Sequence, residues 1–190
     1  MKKSLIVVLA AVLVLAFATG VYAQFDVNSD INVVSREEGS GTRGAFVELL
    51  GVQEKDADGN NVDKTTEEAT IVNGTSVVLT TVAGDPSAIG YISLGSLNDT
   101  VKAFDIDGVA ASVENILSGE YKVFRPFNIA TLAEISESAQ DFVNFILSAE
   151  GQAIVEENKY IAVVADAAAY AGTEPTEKIV IGGSSSVTPL

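Results

Sequence analysis

"INVVSREEGSGTRGAFVELL", residues 31–50, reads as a strand, a glycine-rich turn and the opening of a helix. The β-branched run Ile31–Ser35 suits a short buried strand, and Ala45, Phe46, Val47, Leu49 and Leu50 give Gly44–Leu50 the apolar side of a first helix. Between them stand Arg36, two hydroxyls (Ser40 and Thr42) and the flexible Gly41. Such a turn gathers unpaired backbone N–H groups where the helix dipole is positive, which is the physical make-up of an anion cradle. A bare helix N-terminus with no ligand is the alternative reading of the same residues. Arg43 is expected to pair with a surface acid such as Glu48, and Glu37 and Glu38 to be solvated.

The composition sharpens the puzzle. The 190 residues carry 11 basic and 26 acidic side chains, a net charge of −15. Without Lys2 and Lys3 in the leader, nine basic residues face 26 acidic ones and the net charge is −17. A surface of that sign argues against nucleic acid and against anionic membranes, so any bound anion must be held by local dipoles and hydrogen bonds. There is no cysteine and no histidine. Disulfide scaffolds, Cys/His zinc sites, cysteine nucleophiles and histidine-based triads are thereby removed, which favours a binding protein without metal or cofactor over an enzyme.

Residues 1–23 read as a signal peptide: two lysines, the 14-residue run Leu5–Ala18, then Val21-Tyr22-Ala23 as a cleavage site. The run is short of the roughly 20 apolar residues that span a bilayer. A signal anchor is the alternative. The mature chain is expected to start at Gln24, in a periplasmic or secreted location.

Further along, strands and helices alternate, which predicts an α/β fold. "DADGNNVD" (56–63) is a solvated acidic loop; Asn61 stands where a calcium loop needs glycine. "TSVVLTTVA" (75–83) is a helix capped by Thr75, and "AIGYISL" (88–94) and "VKAFDI" (101–106) are strands. "VFRPFNIA" (123–130) is extended. Ser136–Glu157 is one helix with Gly151 as its weak point, and "YIAVV" (160–164) is a strand. Residues 165–177 form a linker, and Lys178–Ile181 is a strand running into Gly182-Gly183 and the serines Ser184, Ser185 and Ser186. That ending repeats the hydroxyl-plus-amide design of residues 40–42. Thr188 and Pro189 carry a helix start signal. A flexible polar tail is the bland reading of the serine run.

Together "SREEGSGTRGAF", "AIGYISLGSL", "VKAFDIDGVAASVENILSGEYKVFRPF", "DFVNFILSAEGQAIVEENKYIAVV" and "IGGSSSVTPL" resemble the periplasmic phosphate-binding proteins of ABC phosphate importers. The resemblance implies a class II solute-binding fold whose two α/β lobes close on inorganic phosphate, with an importer permease as partner. It implies a permuted order: residues 24–165 resemble the family's second half, and 176–190 its first strand and turn. On that basis residues 24–130 form a phosphate-binding-protein-like lobe with a mixed sheet flanked by helices. Residues 131–164 and 178–190 then belong to part of the other lobe.

Carried over residue by residue, the resemblance puts phosphate contacts on Arg36, Ser40, Gly41 and Thr42, with Ser185 and Ser186 opposing them. Arg36 would make charge-assisted bonds, possible in bidentate form, and Gly41 would let the backbone approach. The family's proton-accepting aspartate has no counterpart. The rival reading is a secreted interaction or assembly module without tight ligand binding; a serine hydrolase using Ser185 stands third, since no base is in sight. Residues Ile31–Ala130 are expected to form a compact lobe, the 136–157 stripe to favour self-association, and phosphate affinity to be on the order of a millimolar or weaker.

Overall fold

The computed structural model describes residues 27–172 and 175–190. The expected signal peptide, residues 1–23, lies outside the described residues. The chain is an α/β protein organised around β1 (Asn32–Arg36), whose last three residues are buried. β1 lies between β4 (Thr70–Val72) and β5 (Ala88–Ile89), both parallel to it, in the order β4-β1-β5. Antiparallel pairing occurs separately, in the hairpin of β2 (Gln53–Lys55) and β3 (Asn61–Asp63). The acidic stretch 56–63 is thus the tip and return strand of this hairpin. Asp56 shapes the turn, its Oδ1 accepting from the backbone N–H groups of Asp58 and Asn60 at 2.9 and 2.8 Å.

Helix α1 (Gly41–Leu49) begins three residues earlier than its apolar pattern indicates, because Ser40 is its N-cap: Ser40 Oγ accepts from the Arg43 N–H at 3.3 Å. Helix α2 (Thr75–Gly84) is capped by Gly74 at φ 85°, without a side-chain bond, so Thr75 is the first helical residue and not the cap. Val34, Val47, Ala69 and Val78 form the buried apolar centre among these elements. A Cβ on Gly90 would lie 2.8 Å from Val78 Cγ1. The chain therefore passes close under α2 at Gly90, and the expected strand 88–94 pairs only at Ala88–Ile89.

Other expected strands, 101–106, 160–164 and Lys178–Ile181, form no strand. Ile106 and Val109 close a single two-residue turn with Asp107 and Gly108 both at positive φ. The run 160–164 is held instead by a side chain: buried Gln152 accepts from the Val163 and Val164 N–H groups at 2.8 and 3.3 Å. Two of its amides are thus satisfied by a side chain and not by a strand partner.

After the short α3 (Val113–Leu117), the helix expected as one piece over Ser136–Glu157 is two, α4 (Glu137–Ile146) and α5 (Ala149–Glu157). Ser148 makes the break. Its Oγ donates to the Phe145 carbonyl at 2.7 Å and accepts from the Gly151 N–H at 3.2 Å, capping α5. A Cβ on Gly151 would run into the Phe145 and Ile146 carbonyls, so glycine permits the fold-back and is not a weak point within one helix. Phe142 and Leu147 remain exposed. At the far end the expected helix start at Thr188 is replaced by a 3-10 turn, Ser185–Val187, capped by Ser184, with Thr188 at its C-terminal side.

Candidate functional site

The carboxyl ends of β1 and β4 point to the same edge of the sheet, the edge where open α/β folds place their ligands. β1 ends in Arg36 and leads to α1; β4 ends in Val72 and leads through Asn73-Gly74 to α2. Two helix N-termini therefore arrive beside one arginine. The 3-10 turn of residues 185–187 comes back to the same place, so residues separated by about three quarters of the chain meet there.

Arg36 is 2% exposed, and every donor of its guanidinium has a partner. Nε and Nη2 donate to the two carboxylate oxygens of Glu37, each at 2.7 Å. Nη1 reaches Thr42 Oγ1 at 3.5 Å and Thr75 Oγ1 at 3.4 Å, and Nη2 donates to Ser185 Oγ at 3.0 Å. Thr75 Oγ1 and Ser185 Oγ lie 3.3 Å apart, and Thr42 is hydrogen-bonded to Ser186 through their hydroxyls. Four hydroxyls from three chain segments thus ring the outer edge of one buried cation. Hydroxyls that accept from a guanidinium retain their own protons to donate, so the ring suits an acceptor-rich, anionic guest.

Glu37 is not simply solvated. Its side chain is 32% exposed, and the Arg36 hydrogen bonds hold its carboxyl down at about 2, with the Gly74 N–H adding a weaker bond at 3.4 Å. The bidentate fork of Arg36 is consequently engaged by Glu37, leaving Nη1 and the outer Nη2 proton toward the hydroxyl ring. Arg43 pairs with Asp63 at 2.7 Å, not with Glu48, and also donates to the Arg36 carbonyl at 2.8 Å. Glu48 is met by Arg125, which donates to the Gly41 carbonyl at 2.8 Å.

Of the six residues the sequence indicates, Arg36, Thr42, Ser185 and Ser186 come together in this cluster. Ser40 borders it as the α1 cap. Gly41 faces the serine turn, where an added Cβ would stand 3.5 Å from Ser184 Oγ. Thr75 was missed as a member of the cluster, although "VNGTS" (72–76) repeats, at the end of a strand, the glycine-plus-hydroxyl pattern of residues 40–42.

The back of the site is fixed by aromatic rings. Tyr91 stacks on Phe46 of α1 with centroids 4.0 Å apart, accepts from the Arg36 N–H at 3.1 Å and shares a 2.8 Å bond with Ser35. The serine turn is anchored through the Ser186 carbonyl, which accepts from the Tyr160 hydroxyl and from Ser93 Oγ, the latter at 3.3 Å. The Tyr160 ring lies so close over Gly95 that a Cβ there would collide with it. Among the described residues no group of three or more acidic side chains is placed to hold a metal ion, and no helix is long and apolar enough to cross a membrane.

Comparison with known proteins gives consistent relatives. Phosphate-binding protein PstS 2 of Streptococcus agalactiae is 56% identical over 161 residues, 84% of this chain and 55% of that protein. Among solved structures, a phosphate-binding protein of a phosphate ABC transporter from Streptococcus pneumoniae superposes with a TM-score of 0.64 at 49% identity. It covers 75% of this chain and 55% of its own. A putative phosphate ABC transporter substrate-binding protein with bound phosphate, from Clostridium perfringens, gives 0.61 at 42% identity, over 70% of this chain and 52% of its own. The chain thus spans about half the length of the curated relatives it matches. The family model described as PBP superfamily domain matches residues 11–150, most of the sequence, and the chain belongs to that superfamily.

Proposed function

We propose that the chain binds inorganic phosphate as the substrate-binding component of an ABC-type phosphate importer. The observation that carries this reading is the buried Arg36, gripped by Glu37 on one edge and ringed by the hydroxyls of Thr42, Thr75, Ser185 and Ser186 on the other. Phosphate matches it in chemistry: several acceptor oxygens, negative charge, and a size that spans converging donors. The S. agalactiae, S. pneumoniae and C. perfringens relatives, all named for phosphate, support the choice of anion.

Ser40 and Gly41 complete the contact set in this reading through the first turn of α1. The last residues are read as the counterpart of the family's serine turn, a reading supported by the return of Ser184 and Ser186 to the α1 N-terminus. A permease is the partner on the same grounds, the protein acts outside the cell membrane after cleavage near Ala23, and the exposed Phe142 and Leu147 provide a face for self-association. It works by binding and release, as the solute-binding character of its relatives indicates, and not by covalent chemistry.

The affinity is modest. Two of the five Arg36 donors are bound to Glu37, the ring hydroxyls already bond one another, and the acidic surface opposes an approaching anion. A dissociation constant on the order of a millimolar or weaker follows, at most about −4 kcal/mol. Calorimetric titration with phosphate tests it: heat of binding in the wild type that disappears in Arg36→Ala supports the reading, and no binding by the wild type rejects it.

A further inference from the structure

Thr75 is the one member of the hydroxyl ring outside the six residues that the sequence indicates. β4 runs in register with β1 so that Val72 lies opposite Arg36, and the Asn73-Gly74 turn then delivers Thr75 to the guanidinium. Thr75 is 6% exposed, its hydroxyl 3.4 Å from Arg36 Nη1 and 3.3 Å from Ser185 Oγ. Gly74 makes this placement possible: at φ 85° it adopts a backbone that other residues resist, and its N–H bonds to Glu37 at 3.4 Å. The same carboxylate that orients Arg36 therefore also fixes the turn that presents Thr75.

The distances within the ring are informative. Thr42 and Thr75 share Nη1 at 3.5 and 3.4 Å, at the long limit of hydrogen bonding, where the attraction is weak. An anionic oxygen received by these donors would exchange long contacts to neutral hydroxyls for short ones in which both partners are charged. α2 carries no side-chain cap, so its first-turn dipole adds to the same attraction that α1 supplies from the other side.

We infer that Thr75 is a further anion-contacting residue, through which α2 supplies a fourth arm to a tetrahedral oxyanion held by α1, Arg36 and the serine turn. The inference rests on the phosphate reading of this site and specifies its contact set. Phosphate titrations of wild type, Thr75→Val, Thr75→Ser and Arg36→Ala test it, with thermal unfolding of each in phosphate-free buffer. Thr75→Val, which keeps the shape and removes the hydroxyl, should weaken affinity about tenfold. Thr75→Ser should bind within about twofold of wild type, and both should keep one cooperative unfolding transition. Wild-type affinity in Thr75→Val, with binding abolished in Arg36→Ala, overturns the Thr75 contact while leaving the phosphate site standing. Equal weakening by valine and serine overturns it in favour of a packing role. Absence of phosphate binding in the wild type overturns the phosphate reading and the Thr75 contact together.

Discussion

The two sides of the hydroxyl ring are built in different ways. Residues 31–84 reach it through elements that close their own backbone hydrogen bonds: β1 and β4 in a parallel ladder, α1 and α2 as regular helices. Residues 158–172 and 175–190 reach it without helix or strand, apart from one 3-10 turn, and are positioned by remote side chains, with Gln152 holding 163–164 and Tyr160 and Ser93 holding the Ser186 carbonyl. The first side is rigid by local structure. The second is rigid only while a few side chains stay in place, so the two should respond differently to the same kind of perturbation.

Arg36 joins both sides, and its loss should have the largest effect. Arg36→Ala removes charge-assisted bonds to Glu37 and to the hydroxyls of Thr42, Thr75 and Ser185. Phosphate binding should disappear. The burial of Arg36 predicts a loss of about 1.5–3 kcal/mol of stability, measurable by urea unfolding. Stability within experimental error of wild type would show that the buried cation holds nothing together.

Gly95→Ala should separate the two sides. The new methyl displaces the Tyr160 ring and with it the anchor of the serine turn, an overpacking cost of about 1–3 kcal/mol. Hydrogen exchange should accelerate at the amides of Ser186 and Val187 while α1 and β1 keep their protection. Equal acceleration on both sides would break the distinction drawn above.

The Arg36–Glu37 pair gives a pH signature. The Glu37 carboxyl lies at about 2 in the folded protein against 4.5 for an ordinary glutamate, so the folded state favours the ionised form. Its contribution to stability is complete above about 4.5 and is lost as pH falls toward about 2. Glu37→Gln should lose that segment of the pH dependence while remaining less stable than wild type at neutral pH. A wild-type profile that is flat between these values, or an unchanged slope in the variant, would show that the pair is not formed in solution. Ser40→Ala, the smallest of these effects, deletes only the α1 cap and should cost about 1 kcal/mol without changing exchange at the serine turn.

The same contrast explains what could be read in advance. The strand–turn–helix of residues 31–50 was legible because a β-branched run, a capping serine and a 3.6-residue stripe each describe a locally closed structure. Arg36 and Thr42 fell within it, and the Ser184–Ser186 repeat pointed to the opposite wall. The runs 101–106, 160–164 and 178–181 have strand composition too, but a strand also needs a neighbour, and composition does not say whether one arrives. The break at Ser148 was hidden because an apolar stripe continues across it, while a serine bond to the Phe145 carbonyl and the Gln152–Ile146 contact turn the chain. Thr75 and Glu37 were assigned local roles, a cap and a solvated acid. The place of Thr75 depends on β4 lying beside β1, a long-range fact, and that of Glu37 on the burial of its neighbour Arg36.

The central claim is that one anion site is shared by residues 36–42 and 184–186. Calorimetric phosphate titration of the wild type beside Ser186→Ala tests it most directly, because Ser186 is 3% exposed and bonded to Thr42 across the ring. The account predicts wild-type binding on the order of a millimolar or weaker and a roughly tenfold weaker response in Ser186→Ala, with the fold intact by circular dichroism. Identical affinity in the two proteins would contradict it, since the serine turn would then be a neighbour of the site and not a wall of it.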